Sequence, residues 1–271
     1  MMHERLNSLI YIITKEEWFI VEVDLNKHRS EIQEQNEGTG KRSIRTKESC
    51  PLSHVLYLRH MTDAKAVAEK LLQVNAVKLN VENPFTWASG WKSPIYCDNR
   101  RILSFPFIRD FIKSELCNVV FEKFPEAELL AGVATAGIAW GAMTADQLKL
   151  PYIYVRPKPK AHGLGNQVEG YFEKEQATVV IEDLVSTGNS SLQVADVLKT
   201  EGLNVIGMVS IFTYDFPIAT AALEKAGLKY YSLTTYPVLI SLALDRGIIS
   251  PGQEEILLKW RDDPANWKGV L

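Results

Sequence analysis

The chain has 271 residues, 46% hydrophobic and 23% charged, with a net charge of −3. That is ordinary globular composition, enough for one large domain or two small ones, and it offers no electrostatic case for binding nucleic acid. Three widely spaced cysteines, Cys50, Cys97 and Cys117, make no CxxC pair, and no apolar run approaches the ~20 residues of a bilayer span. A disulfide scaffold, a structural zinc site and a membrane protein are therefore set aside, and a soluble, cytoplasmic protein is expected. The segment "LIYII" at 9–13 is too short for a signal-peptide core.

In chain order, the first sixty residues differ from the rest. Residues 6–25 hold an apolar-rich patch, and 26–49 are almost wholly polar, with little to bury, so disorder is expected there. Nothing in 1–60 completes a core of its own, so this stretch is taken as an N-terminal extension, disordered or foreign to the fold. The compact domain is expected over 61–271. Thr62 or Asp63 can cap a helix that presents Val67, Leu71, Leu72 and Val74. A helix fits 107–123, with Phe107, Ile108, Phe111, Ile112 and Leu116 on one side. A strand at 128–133, a helix at 138–148 and a strand at 152–155 follow. After a polar segment, 156–176, come strand 178–182, helix 190–200 stopping at Gly202, and strand 204–212. Helix 217–226, strand 228–234, helix 236–246 and a last helix at 252–260 complete the chain. Apolar strands alternating with helices predict an α/β fold, a central parallel sheet flanked by helices. Ligands in such sheets bind beyond the C-terminal strand ends, where the loops 134–137, 156–170 and 183–190 fall.

The third of these loops carries the clearest chemistry. "VVIEDLVSTGNSS" at 179–191 runs from an apolar strand into two adjacent acids, Glu182 and Asp183, and then into the small residues Ser186 to Ser190. A tight turn into a helix start leaves backbone N–H groups unpaired, and the helix dipole adds positive potential, which makes a phosphate cradle. Acids beside a phosphate would repel it unless they face a ribose diol or a magnesium ion. Together the two features suit a sugar phosphate. A plain strand–turn–helix with a serine cap is the bland alternative.

The loop "RPKPKAHGLGNQVEG" at 156–170 places Arg156, Lys158, Lys160 and His162 within seven residues. Pro157 and Pro159 exclude a helix interior, and Gly163, Gly165 and Gly170 leave it mobile. Such a loop is either a solvated basic surface or one that closes on a polyanion such as pyrophosphate. The stretch "AGVATAG" at 131–137 allows a ligand to approach the backbone, or equally close strand–helix packing. In "PFTWASGWKSPIYCDNR" at 84–100, Trp87, Trp91 and Tyr96 either stack on a flat ring or fill a small hydrophobic hood, with Lys92 and Arg100 at hand for anionic groups.

The motif at 179–191 resembles the phosphoribosyl-diphosphate (PRPP) signature of type I phosphoribosyltransferases. The 156–170 loop is similar to the mobile catalytic loop of orotate phosphoribosyltransferases, and "FTWASGWKSPIYCDNR" is similar to the segment covering orotate in that family. The resemblance runs from about Met61 to the C-terminus. It implies a parallel sheet flanked by helices (the type I phosphoribosyltransferase fold) with a small N-terminal hood, mainly over 61–105. It also implies a homodimer whose 156–170 loop reaches the neighbouring subunit's site. The implied reaction joins orotate to the ribose of PRPP, giving orotidine 5′-monophosphate and pyrophosphate, with magnesium required, in pyrimidine synthesis. By this resemblance Arg156, Lys158, Lys160 and His162 contact PRPP, Glu182 and Asp183 hold the ribose hydroxyls, and Leu184, Val185, Ser186, Thr187, Gly188, Asn189 and Ser190 form the 5′-phosphate loop. Lys160, His162 and Asp183 are the catalytic candidates. His162 would neutralise the leaving group or donate a proton. Ser186, Lys92, Tyr96 and Arg100 are the candidates for orotate. No side chain is expected to bind magnesium directly; the ion would be held mainly through PRPP near Glu182 and Asp183. Pro157 fills a slot where many members are basic, and Ala88 and Ala136 stand where some carry lysine. "SIFTYDFP" lacks an arginine that some members use for orotate, so Arg100 is the expected substitute. Two other readings stay open: a phosphoribosyltransferase for another base, and a PRPP-binding regulator without catalysis.

Overall fold

The computed structural model describes residues 7–13, 18–24, 62–87, 89–158 and 167–269. The chain divides into two compact units, Met1–Met61 and Thr62–Leu271. In the first, β1 (Asn7–Ile13) pairs antiparallel with β2 (Trp18–Asp24), so part of the apolar-rich patch forms a hairpin. The polar stretch 26–49, where disorder is expected, lies outside the described residues.

The second unit starts with α1 (Ala64–Gln73), capped by Asp63, whose Oδ1 accepts from the N–H groups of Lys65 and Ala66. Short strands follow: β3 (Val77–Leu79), β4 (Phe85–Thr86), β5 (Lys92–Ser93) and β6 (Ile95–Cys97). β3 pairs with β6 and β4 with β5, both antiparallel. With the 3₁₀ helix Asn99–Ser104 they make a small hood. Then come α2 (Pro106–Lys123), β7 (Leu129–Val133), α3 (Gly137–Leu148), β8 (Tyr152–Val155) and β9 (Val168–Glu169). The chain ends with β10 (Ala177–Val185), α4 (Asn189–Thr200), β11 (Asn204–Thr213), α5 (Pro217–Lys225), β12 (Tyr230–Thr235), α6 (Tyr236–Asp245) and α7 (Pro251–Asp262).

The main sheet runs in the order β12-β11-β10-β7-β8-β9. Five strands are parallel, and β9 joins the edge antiparallel to β8. The central parallel sheet is thus as expected, with the short antiparallel β9 added at its edge to make the whole mixed. The two residues of β9 are too few to show any hydrophobic period, which is why the polar segment at 156–176 hides it. The expected elements after Met61 otherwise lie within about two residues of the observed ones, except that β10 runs three residues past Glu182. Val179, Val180 and Ile181 are fully buried, as a central strand covered by helices on both faces requires. Helix α1 packs on β12 and α6, so the first helix braces the main sheet.

The strand order fixes where a ligand can sit. From β7 the chain builds outward through β8 and β9, and then returns to place β10 on the other side of β7. The connections from β7 and β10 depart in opposite directions, which opens a crevice at their C-terminal ends.

Candidate functional site

β10 delivers Glu182 and Asp183 to that crevice. The strand does not stop at the acids, as the sequence suggested; Leu184 and Val185 go on pairing with Phe212 and Thr213 of β11. The Glu182 side chain is tolerated inside because its oxygens are used. Oε1 accepts from the Asp183 N–H at 3.0 Å, and Oε2 accepts from the Ser191 hydroxyl at 3.3 Å. Burial, and then the charge of Asp183, push the Glu182 carboxyl well above the usual carboxylate range. Burial also raises Asp183, while its hydrogen bond with Glu182 and the nearby Arg100 charge pull it back. A pair so placed resists carrying two negative charges until a cation or a set of hydroxyl donors arrives.

The main chain at Asp183 is held from the hood. Asn99, fully buried, donates from Nδ2 to the Asp183 carbonyl at 2.7 Å. Neither Asn99 nor Ser191 stands out in the sequence; an amide inside "CDNR" and one serine among several carry no pattern, and only burial marks them. Arg100 lies beside Asn99. Its Nε donates to Asp98 Oδ1 at 2.6 Å, which fixes the direction of a side chain still 58% exposed.

The turn Ser186–Gly188 carries β10 into α4. Gly188 has φ +79°, the left-handed region that glycine enters without penalty. Ser186 and Thr187 are half-buried, and Asn189 and Ser190 are exposed. The Val185 side chain is buried, and its carbonyl accepts from the Tyr214 N–H at 3.1 Å, so only its backbone borders the turn. The helix starts differ in a telling way. α1, α6 and α7 are capped by Asp63, Thr235 and Ser250, and α2 and α5 open on proline. Only α3 and α4, among the described helices, start with neither a side-chain cap nor a proline, and neither has an acid in its first turn. Both follow the two strands that flank the crevice. Their free N–H groups and positive dipole ends suit anionic groups.

The small residues of "AGVATAG" turn out to serve packing. A Cβ on Gly132 or Gly141 would strike the Tyr152 ring, whose hydroxyl donates to the Ile138 carbonyl at 2.8 Å. A Cβ on Gly137 would lie 2.6 Å from the Ile181 carbonyl, so α3 starts hard against β10 beside Glu182. In the turn between them the Ala134–Thr135 peptide is cis.

The basic loop is a hairpin insertion between β8 and β9. Its neck is closed by Arg156 N–H to Gln167 O at 2.9 Å and Gln167 Nε2 to Arg156 O at 2.7 Å, with the Arg156 guanidinium 3.6 Å from Glu169. Lys158 is exposed. Lys160, His162, Gly163 and Gly165 fall in 159–166, outside the described residues. In the hood, Lys92 reaches Thr86 Oγ1 at 2.9 Å and Tyr96 is 40% exposed. Trp87 instead packs inward on Tyr214, with ring centroids 4.9 Å apart, and Trp91 stacks on Trp87. Of the two roles open to the tryptophans, the hydrophobic hood is the one their packing serves. Among the described residues, no group of three His, Cys, Asp or Glu side chains is placed to hold a metal ion.

Because folding raises the Glu182 pKa, the native state holds a proton that the unfolded chain releases above its ordinary value of 4.5. Stability of the unliganded protein therefore falls as pH climbs from that value towards the raised one. Glu182→Gln, which keeps the shape and loses the titration, should melt higher than the wild type at pH 7 to 8, with the gap closing towards pH 4. Thermal melts across that range would show it; a variant less stable than wild type at pH 8 would mean the carboxylate is stabilised in the fold.

No protein-family model matches the chain. Curated relatives do. It is 52% identical over 206 residues to an orotate phosphoribosyltransferase of Porphyromonas gingivalis, covering 76% of this chain and 98% of that protein. The orotate phosphoribosyltransferase of Bacillus subtilis is 52% identical over 200 residues, covering 74% and 93%. Among solved structures, the orotate phosphoribosyltransferase of Aeropyrum pernix matches with a TM-score of 0.60 at 29% identity, over 68% of this chain and 99% of that one. Sequence identity at this level, over almost the whole length of these relatives, means that the chain belongs to the orotate phosphoribosyltransferase family.

Proposed function

We propose how this chain carries out the family's reaction, the transfer of 5-phosphoribose from PRPP to orotate. The observation that carries the assignment of roles is the meeting, at one strand end, of an acidic pair with an uncapped helix start. The 5′-phosphate takes the turn Ser186–Ser190 and the open N–H groups of α4. The ribose hydroxyls face Asp183, with Glu182 behind it, and their donated hydrogen bonds favour the charged form that burial opposes. Orotate lies under the hood, near Ser186, Lys92 and Tyr96, with Arg100 on its carboxylate. Asp98 already orients the guanidinium, and the Arg100 donors beyond Nε remain for a substrate.

The residues present fit a magnesium ion brought in with the substrate: PRPP oxygens would hold it, and the negative charge of the Glu182–Asp183 pair nearby favours a cation. Such an ion would neutralise charge on the diphosphate leaving group. The protein's share is positioning and charge neutralisation as the bond from ribose C1′ to the leaving oxygen breaks. Lys160 neutralises the departing pyrophosphate, and His162 does the same or donates a proton, its unperturbed pKa lying near 6.5. Arg156, at the loop neck, and Lys158 add positive charge, and closure of the loop excludes water that would hydrolyse PRPP. We place the reaction in the cytoplasm, in a homodimer whose 156–170 loop serves the partner's site; no described helix is long and apolar enough to cross a membrane.

Mixing the protein with PRPP, magnesium and orotate should change orotate's ultraviolet absorbance, and no change with folded protein would reject the activity. In that assay Lys160→Ala and His162→Ala should each lower turnover by ~10²-fold or more; near-normal turnover in both would remove the loop from the mechanism. Arg100→Ala should raise the KM for orotate by about 10- to 100-fold, the loss of one charge-assisted contact. Unchanged orotate affinity would dispose of the Arg100 assignment.

A further inference from the structure

The loop after β11 has no part in the chemistry described above, yet side-chain hydrogen bonds converge on it. Asp215 there has φ +55°, a conformation that residues other than glycine adopt rarely. An open pocket of ≈ 270 Å³ borders it, lined by Thr213, Asp215, Ala219 and Tyr230 among others. Hydrogen bonds hold the Asp215 backbone in this conformation. The Asp215 N–H donates to Thr213 Oγ1 at 3.0 Å. Arg261, in the last turn of α7, donates to the Asp215 carbonyl from Nε at 3.2 Å and from Nη2 at 2.8 Å, and Nη2 also reaches Asp215 Oδ2 at 3.0 Å. The Arg261 side chain is 24% exposed.

The corner leads straight to the phosphate turn. The Tyr214 N–H donates to the carbonyl of Val185, the residue before Ser186. On the far side of the corner, Ala219 is the neighbour that faces Gly188, 3.7 Å from where a Cβ would stand. The turn is thus tied before Ser186 by a hydrogen bond from one side of the corner, its Gly188 faces Ala219 on the other side, and Arg261 holds that corner. The adjacent Trp260 holds the other half of the site. Its Nε1 donates to the Lys92 carbonyl at 3.1 Å, and its ring meets Trp87 edge-on at 5.7 Å and Tyr214 at 5.8 Å.

We infer that Arg261 is a positioning residue for the PRPP phosphate, acting through Asp215 and the Val185–Gly188 turn, with Trp260 beside it setting the hood. The inference rests on the placement of the 5′-phosphate in that turn. Arg261 touches no substrate; it sets the aim of the backbone N–H groups that do. A displacement of the turn by a fraction of an ångström weakens several such bonds together.

The test is a split between the two Michaelis constants. Arg261→Met keeps the aliphatic stem and loses the fork. It should raise the KM for PRPP by about tenfold while the KM for orotate changes less than about twofold. Arg261→Lys, which keeps the charge without the fork, should fold readily and show a smaller rise confined to PRPP. Kinetic constants equal to wild type in the lysine variant, or a loss of melting temperature in the methionine variant with no change in the KM for PRPP, would overturn the inference. So would a rise in the KM for orotate alone. Gly188→Ala tests the underlying placement separately, since the strained φ disturbs the turn itself. If that variant leaves the KM for PRPP unchanged, the phosphate does not bind in the turn, whatever Arg261 does.

Discussion

The position of β10 between β7 and β11 is the constraint on which the rest depends. A strand paired on both sides and covered on both faces admits no charge along its buried length, and Val179, Val180 and Ile181 obey that rule. Charge can appear only where the strand meets the crevice. Glu182 and Asp183 stand there, and the order of the strands makes the same point the one place where the chain reverses its direction of building. Topology and polarity therefore select one location independently. The glycines around Tyr152 and the close start of α3 against Ile181 bring the second uncapped helix to the same edge.

Much of this can be read in the sequence because the chemistry is local. The acids, the hydroxyl turn and the helix that follows are contiguous, and the burial of a strand shows in a run of valines and isoleucines. The full length of β10 is hidden because two charges resemble a strand end; Ser191 and the Asp183 N–H make one of them tolerable inside, and a serine nine positions away announces nothing. Other residues are hidden by distance. Asn99 meets Asp183 across 84 positions, and Trp260 meets Lys92 across 168. No spacing rule reaches that far, and such residues appear only when the chain is folded. The tryptophans of the hood are ambiguous for another reason: a large flat ring serves a core as well as a ligand, and only its neighbours decide.

Those neighbours give the hood its function. Trp87, Tyr214, Phe216, Tyr236 and Trp260 form one contiguous aromatic cluster that joins hood, sheet and C-terminal helix. A shared core of this kind resists relative motion of the pieces it joins, because a tilted ring must lose contact with several others at once. The hood is made of two- and three-residue strands, too short to hold a shape alone. It takes its rigidity from Trp87 and Trp260 below and from Asn99 at the strand end. Lys92, Tyr96 and Arg100 are thereby carried on a platform fixed to the same strand that carries the acids.

The site also explains where the fold departs from what stability alone would favour. A missing helix cap costs about 1 kcal/mol, and a buried carboxyl that must ionise costs more. α1, α6 and α7 are capped by side chains. The uncapped starts of α3 and α4 instead follow β7 and β10, the two strands that flank the crevice where the acid pair stands. Each of these defects has the same remedy, a ligand that presents anionic oxygens to the helix starts and hydroxyl donors to the acids. A sugar phosphate, the ligand proposed above, would do both at once. Its binding would then remove these penalties, so part of the affinity would arise from groups left unsatisfied in the fold and not from new contacts alone.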